Sequence, residues 1–378
     1  MTNKLNSQKD LFLIKEGLTY LNCATMSPML KSVKEAGLQA LETRATPWKI
    51  TTDDWFTNAE KLRTLTAKVF QTNSDNIALI PSVSYGIAVA AKNFKLNTGK
   101  EIIVLEHQFP SNYYVWENLA RQQNLEIVIV KKIQGKTLTE SILEKISSNT
   151  AIIALPNCHW ITGTYIDLQQ ISEASKLVGS YFVLDLSQSL GVLPIDIEKI
   201  QPDFAVSVGY KWLMGPYGLG YMYVSEKLQN TGEPLEYSWS IKKGSENFAN
   251  LTNYVTEYRV GARKFDMGAF PQFNLLPMSI AALQQIDHWE IGSIQAKIKK
   301  LTDKINNYKK EFGIFDETSL SVGHISSIPV ENLNINKLKE RLQNNNVVVS
   351  FRGTSVRVSP HLYNDFEDID KLLSCLNE

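Results

Sequence analysis

The chain has 378 residues, of which 39 are lysine or arginine and 39 are aspartate or glutamate, so its net charge is close to zero. This length predicts about two domains with a large core, and the balanced charge gives no indication of a nucleic-acid or anionic-membrane partner. No apolar run approaches the roughly 20 residues of a membrane-spanning helix. The polar residues 1–10 contain no signal-peptide core. The three cysteines, Cys23, Cys158 and Cys375, are odd in number and widely spaced, which fits reduced thiols better than a disulfide framework, so we expect a cytoplasmic protein.

Along the chain, residues 1–20 are predicted to form an N-terminal arm. From residue 30 to residue 70, charged and apolar residues mix with a helical spacing that Pro47 interrupts. Short apolar runs then recur, and the first six are separated by segments of helical length. The predicted strands are residues 77–80, 102–105, 127–130, 151–155, 181–184, 204–208 and 221–224.

This alternation predicts an α/β fold with a mostly parallel, doubly wound sheet of seven strands. The link between Val208 and Tyr221 is short, so the last strand is expected to be antiparallel. We expect a large domain at residues 21–260 and a smaller C-terminal α/β domain at residues 261–378. In such sheets ligands bind beyond the carboxyl ends of the strands, so polar residues at those ends are the candidates for function.

Two of these candidates are Lys211 and Asp185, each of which follows or ends an apolar run. Partial burial lowers the pKa of a lysine, and the neutral amine is a nucleophile towards carbonyls. A lysine alone at a strand end usually just reaches solvent, but a carboxylate in a matching position is costly unless it meets a cation. Pyridoxal phosphate (PLP) chemistry uses this pair, with the lysine forming an internal aldimine and the carboxylate keeping the ring nitrogen protonated.

The motifs around these two residues resemble the class-V aminotransferase family. They are Asp185-x-x-Gln188 and Ser207-Val-Gly-Tyr-Lys211, the latter followed by Gly-Pro-Tyr-Gly-Leu-Gly, and the resemblance runs from about residue 20 to the C-terminus. This fold-type-I PLP group includes cysteine desulfurases, selenocysteine lyases, kynureninases and isopenicillin N epimerase-like proteins. The resemblance implies an aspartate aminotransferase-like fold, PLP as cofactor, an amino-acid substrate, and a homodimer with the active site at the subunit interface.

The resemblance also implies a cofactor pocket around the lysine. The turn at Val83 and Ser84 would hold the cofactor phosphate, although small hydroxyl residues here are equally typical of an ordinary helix cap. Phe109 would stack on the cofactor ring, with His107 as the alternative. Trp160 would make one wall of the pocket bulky and aromatic.

Further roles follow from the same resemblance. Gln188 would hydrogen-bond the ring hydroxyl oxygen of the cofactor, and Tyr210 would reach its phosphate. Ala269 would face the cofactor of the neighbouring subunit, but it replaces a threonine common in the family, which leaves only backbone donors and weakens the dimer argument. Arg357 would bind the substrate α-carboxylate as a bidentate clamp, and Arg352 could share that task.

We therefore expect a PLP-dependent enzyme that acts on an amino acid by transamination or lyase chemistry. Two alternatives stay open, namely elimination of the selenocysteine lyase or cysteine desulfurase kind, and racemisation of the isopenicillin N epimerase kind. Desulfuration through a persulfide is disfavoured, because that route needs a thiol shortly before the carboxylate-binding arginine. The only cysteine after Cys158 is Cys375, which lies beyond Arg357.

Other classes of protein have less support. The glycines at 215, 218 and 220 are in the wrong order for a dinucleotide-binding turn, and no phosphate-binding Gly-x-x-x-x-Gly-Lys-Ser/Thr motif occurs. The five histidines show no metal-ligand spacing, so no metal is expected. A sugar-modifying or binding protein that keeps the cofactor without turning over amino acids is a third hypothesis, and the presence of Arg357 argues against it.

Overall fold

The protein is described by a computed structural model that covers residues 7–96 and 99–377. The elements of its first half are β1 (Thr19–Tyr20), α1 (Lys31–Ala45), α2 (Thr57–Phe70), β2 (Ile77–Ile80), α3 (Val83–Asn93), β3 (Glu101–Leu105), α4 (Tyr114–Gln123), β4 (Glu126–Val130), α5 (Leu138–Leu143), β5 (Thr150–Pro156), α6 (Leu168–Val178) and β6 (Tyr181–Asp185). The remaining elements are α7 (Ile197–Ile200), β7 (Phe204–Val208), β8 (Gly220–Val224), α8 (Glu226–Thr231), α9 (Leu275–Trp289), α10 (Ile291–Glu311), β9 (Ser326–Pro329), α11 (Ile335–Asn344), β10 (Val347–Val348), β11 (Ser350–Arg352), β12 (Ser355–Val358) and α12 (Phe366–Asn377).

A seven-stranded sheet forms the centre of the molecule, in the order β2-β8-β7-β6-β5-β3-β4. Strands β3 to β7 pair in parallel, whereas β8 is antiparallel to both β2 and β7. Each predicted apolar run lies within one of these strands. The predicted doubly wound sheet and its antiparallel last strand are therefore confirmed.

The sheet is covered on both faces, which explains why its strands are apolar along their whole length. In β2, for example, Ile77 and Leu79 belong to one core layer, and Ala78 and Ile80 belong to the layer on the opposite face. This alternation follows from the two-residue repeat of a strand. Helices α1, α2 and α9 pack together on the first face, and α3 and α4 pack together on the second.

The C-terminal part of the chain builds a second, smaller sheet in the order β11-β12-β9, in which neighbouring strands are antiparallel. Residues from α10, α11 and α12 form a separate core with it. The N-terminal segment joins this core, because Leu21 is fully buried in it and β1 pairs in parallel with β10. Residues 19–21 are therefore packed against the C-terminal part of the chain.

Helix α10 shows how helical spacing produces this packing. Its buried residues Ile294, Ile298, Leu301 and Ile305 recur every three or four positions and form one apolar face. The other face carries charged residues, as in the exposed pair Lys299–Asp303. Within residues 7–96 and 99–377, no helix is both long enough and apolar enough to cross a membrane.

The expected domain limits at residues 20 and 260 stay predictions. Residues 1–6 of the expected arm lie outside the described residues, and Phe12 is buried against Trp289 and Tyr363. Ala262 and Phe265 belong to a core layer of the large sheet, and α9 packs on α1 and α2. These contacts lead us to propose that the smaller domain begins after α9.

Candidate active site

A cavity lies at the carboxyl ends of the parallel strands, where the sequence predicts the site. It is lined by segments that follow β2, β3, β5, β6 and β7. Seven of the predicted site residues line it together, namely Val83, Ser84, Phe109, Asp185, Gln188, Tyr210 and Lys211. Trp160 also lines the cavity, whereas His107, Ala269 and Arg357 do not.

A glycine-rich turn positions Lys211 in this cavity. The turn returns the chain from β7 to β8, and its closing hydrogen bond runs from the Gly215 N–H to the Gly209 carbonyl at 2.8 Å. A Cβ at position 209 would lie 2.7 Å from the Leu219 carbonyl oxygen, so only glycine allows this close approach. Gly218 has a φ of +90°, which also favours glycine. The local sequence thus places the lysine just beyond the carboxyl end of β7.

The Lys211 side chain is buried and has no polar partner. Only 7% of the residue is exposed, and its Nζ forms no hydrogen bond or ion pair with any described residue. The Nζ lies 5.3 Å from the centre of the Phe109 ring. Burial lowers the pKa of Lys211 to about 8, the nearby Asp185 carboxylate opposes this shift, and the Arg357 guanidinium adds to it. A substantial fraction of this lysine is therefore neutral and nucleophilic near pH 8.

Asp185 lies at the end of the neighbouring strand β6 and is also buried. Its Oδ1 accepts a hydrogen bond from the Ser187 N–H at 3.0 Å. This contact between an aspartate side chain and the backbone N–H two residues later is typical of an Asx-turn. Burial raises the pKa of Asp185, and the bond from Ser187 and the positive charge of Lys211 act in the opposite direction. The carboxylate and the amine face one cavity without forming an ion pair with each other.

The N-terminus of α3 forms another wall of the cavity. The Ser82 Oγ caps the helix by accepting a hydrogen bond from the Tyr85 N–H at 3.1 Å. The N–H groups of Val83 and Ser84 have no acceptor within the helix, because they belong to its first turn. Such N–H groups, together with the helix dipole, favour an anion at this wall of the cavity.

The aromatic wall of the cavity is formed by Phe109 and Trp160, whose rings meet edge to face at 5.4 Å. His107, the alternative stacking residue, is exposed and lies outside the cavity lining. Its backbone has a φ of +54°, and its carbonyl accepts a hydrogen bond from the Trp160 indole at 2.7 Å. This geometry favours Phe109 as the residue that stacks on a bound ring.

Gln188 is held by contacts that the sequence does not reveal. Its Oε1 accepts a hydrogen bond from the Trp212 indole at 2.9 Å, and its Nε2 donates to the Ala24 carbonyl at 3.0 Å. One amide N–H is left for a ligand in the cavity. Tyr210 likewise has an unexpected neighbour, since its ring lies 4.6 Å from that of Tyr217.

Arg357 lies behind Trp160 and is almost completely buried, with 1% of the residue exposed. Its Nη1 donates to the Trp160 carbonyl at 2.9 Å, and its Nη2 donates to the Thr25 hydroxyl at 2.7 Å. Burial lowers the pKa of Arg357 to about 10, and the neighbouring Arg352 guanidinium contributes to the shift. Thr25 is itself exposed and lies in the segment that follows β1.

The structure does not bring Ala269 to this cavity. The residue is exposed, and the N–H of the preceding Gly268 already donates to the carboxylate of Glu236. One of the backbone donors expected at this turn is therefore engaged within the chain. The contact of Ala269 with a neighbouring subunit stays a prediction.

The groups around the cavity fit PLP. A buried amine without a polar partner, a buried carboxylate, a helix N-terminus and an aromatic face are the features by which such a cofactor is held. The fold and the site together define the chain as a fold-type-I PLP-dependent protein.

Comparison with known proteins agrees with this class. The family description "Aminotransferase class-V" matches residues 47–372. The uncharacterized aminotransferase YcbU of Bacillus subtilis is 24% identical, in an alignment covering 96% of this chain and 94% of that protein. A kynureninase of Bacillus cereus is 25% identical, with coverage of 95% and 87%. Among solved structures, the cysteine desulfurase of Thermococcus onnurineus NA1 superposes with a TM-score of 0.82 at 18% identity, over 99% of this chain and 98% of that chain.

The chain belongs to the class-V aminotransferase family. This membership confirms the resemblance drawn from the motifs around Asp185 and Lys211. It also confirms the predicted fold type, PLP as the cofactor, and the assignment of the chain as an enzyme. The structural likeness supports the fold, whereas the roles of individual residues rest on the geometry described above.

Proposed function

We propose that the protein acts on an amino acid through Lys211, by transamination or lyase chemistry. The observation that carries this proposal is the buried amine of Lys211, which faces the buried carboxylate of Asp185 across one cavity. When bound, PLP supplies an electron sink for a carbanion at the substrate Cα.

Each group of the cavity has a distinct task in this proposal. Lys211 attaches the cofactor and moves the Cα proton with its Nζ, because its lowered pKa lets it act as a base near neutral pH. Asp185 holds the proton on the ring nitrogen. Phe109 orients the ring by stacking, and Arg357 orients the substrate through its α-carboxylate. The first-turn N–H groups of α3 hold the phosphate.

Gln188 and Tyr210 supply two further cofactor contacts in this proposal. Gln188 uses its free amide N–H for the ring hydroxyl oxygen of the cofactor. Tyr210 would reach the phosphate, and the tilted contact of its ring with that of Tyr217 would help to hold the Tyr210 side chain in place.

The products distinguish three reaction outcomes, namely transamination, elimination and racemisation. A persulfide route gains no support, because the two cysteines nearest to the site, Cys23 and Cys158, are buried and the pKa of each thiol is raised to about 12. Both are poor nucleophiles at neutral pH. Formation of alanine and sulfide from cysteine indicates elimination, whereas a keto acid formed with an acceptor present indicates transamination, and inversion of the amino acid indicates racemisation.

We also propose a cytoplasmic homodimer with the active site near the subunit interface. Large aromatic residues exposed on the single chain support an interface, since Trp48, Tyr237 and Tyr254 are 78%, 66% and 95% exposed. The dimer contact would include the loop of Ala269. Light scattering on the purified protein measures the assembly directly.

The experiment that tests the proposed function uses the absorbance of the cofactor. The purified protein is expected to be yellow, and Lys211→Ala is expected to lose the band after dialysis against an amine. Lys264→Ala is the matched control, because Lys264 is also buried, at 5% exposed, but lies outside the cavity lining. If the Lys211 variant keeps the band after this treatment, the assignment of the lysine is wrong.

A further inference from the structure

Two arginines meet beside the active-site cavity without a carboxylate to neutralise them. Arg357 is buried, Arg352 is half-buried, and neither forms an ion pair with any residue in the described part of the chain. Arg63, the other buried arginine among the described residues, is neutralised by Asp266. A desolvated positive charge without a counter-ion is costly, so an unpaired pair of this kind indicates a site for anions.

The two guanidinium groups converge on the same small region. The Nη2 of Arg357 and the Nη2 of Arg352 lie 2.7 and 3.4 Å from the Thr25 hydroxyl oxygen. Both groups also lie against Trp160, with their Cζ atoms 5.9 and 5.4 Å from the ring centre. Thr25 is exposed, and Trp160 lines the cavity. An amino acid bound at Lys211 would therefore extend towards both arginines.

Each arginine keeps a donor of its own for a ligand. The Nε groups of Arg357 and Arg352 are buried and have no hydrogen-bond partner. The Nη1 of Arg357 donates to the Trp160 carbonyl and the Nη1 of Arg352 donates to the Phe351 carbonyl. The Nη2 of each arginine uses one N–H on the Thr25 hydroxyl and keeps the other. Each guanidinium group therefore has N–H donors left for a ligand, and the two arginines together can hold two carboxylates.

We propose that the substrate is a dicarboxylic amino acid, whose α-carboxylate binds Arg357 and whose side-chain carboxylate binds Arg352. This inference rests on the proposed function, because it places the amino acid at Lys211. A single carboxylate would leave one positive charge without a partner, whereas two carboxylates make this region neutral. Removing the second acid from the substrate leaves a desolvated guanidinium unpaired, and this loss is the basis of selectivity.

The test uses the cofactor-loaded enzyme and the absorbance change on amino-acid binding. L-Aspartate and L-glutamate are titrated beside L-asparagine and L-glutamine, which have the same size but no second charge, and beside a set of other neutral amino acids. In the wild type we expect at least one acid to bind tenfold or more tightly than its amide. Arg352→Gln is expected to bring this ratio close to one, and Arg352→Lys to keep part of it. Arg121→Gln, on the exposed face of α4, is the control and keeps the full ratio.

The outcomes separate this inference from the function on which it rests. Neutral amino acids that bind as tightly as the acids, or a ratio that Arg352→Gln leaves unchanged, overturn the dicarboxylate assignment and leave the proposed function in place. If the absorbance band of the cofactor responds to no amino acid, both the dicarboxylate assignment and the proposed function are wrong. Because the ratio compares two ligands on one variant, partial loss of folded protein does not imitate the expected result.

Discussion

The titration of Lys211 gives the sharpest test of the site, because its pKa depends on burial and on charged groups from three other elements, β6, β11 and β12. Burial and, to a lesser degree, the charges of Arg357 and Arg352 lower the pKa from 10.5 to about 8, against the opposing effect of Asp185. At pH 8 about half of this lysine is neutral, compared with roughly one molecule in 300 for an ordinary lysine. The cofactor-free protein should therefore capture an aldehyde at pH 8 roughly a hundredfold faster than an exposed lysine of equal intrinsic reactivity.

The assay follows the rate of PLP uptake by cofactor-free protein across pH 6.5 to 10.5, through the absorbance of the bound cofactor. We expect the rate to rise with a midpoint near pH 8, since only the neutral amine reacts. Asp185→Asn removes a charge that stabilises the ammonium form, so its midpoint moves to lower pH. Arg357→Gln removes a charge that destabilises that form, so its midpoint moves to higher pH.

The two variants are expected to move the pH midpoint in opposite directions, and this contrast tests the effect of the two charges separately from the midpoint of the wild type. A wild-type midpoint near 10.5 means that Lys211 is solvated and that its burial has no electrostatic consequence. If both variants move the midpoint in the same direction, the effect arises from altered packing and not from the charges of Asp185 and Arg357.

Two further predictions concern the Asp185 carboxylate and the buried ion pair between Arg63 and Asp266. Asp185→Asn is expected to keep the cofactor band but to slow turnover by several orders of magnitude, because a neutral amide does not hold the ring nitrogen protonated; unchanged turnover in a steady-state assay contradicts this. Arg63→Met breaks a pair with Asp266 in which both side chains are fully buried, and urea unfolding should show a loss of about 3–5 kcal/mol. The control Lys68→Met, on the same helix, breaks a half-exposed pair with Asp287 and should cost less than about 1 kcal/mol, so equal losses would refute the role of burial.

The sequence alone determined the sheet and the positions of the central pair. Runs such as residues 204–208 are apolar along their whole length because both faces of the sheet are covered, and this pattern is visible without coordinates. Lys211 and Asp185 could be located because the carboxyl ends of parallel strands meet at one edge of a sheet. The glycines that follow Lys211 also reveal a tight return to an antiparallel strand.

Only the tertiary structure decided how the groups around this pair are arranged. Phe109 lines the cavity and His107 does not because of the course of a loop, and sequence spacing does not define that course. The contact of Arg357 with Thr25 joins residues 332 positions apart, so no local pattern announces it. Likewise, a sequence shows that an arginine is present but not whether an acid neutralises it. Charge pairing depends on which side chains packing brings together, and for this reason the uncompensated positive region beside Trp160 became visible only in the fold.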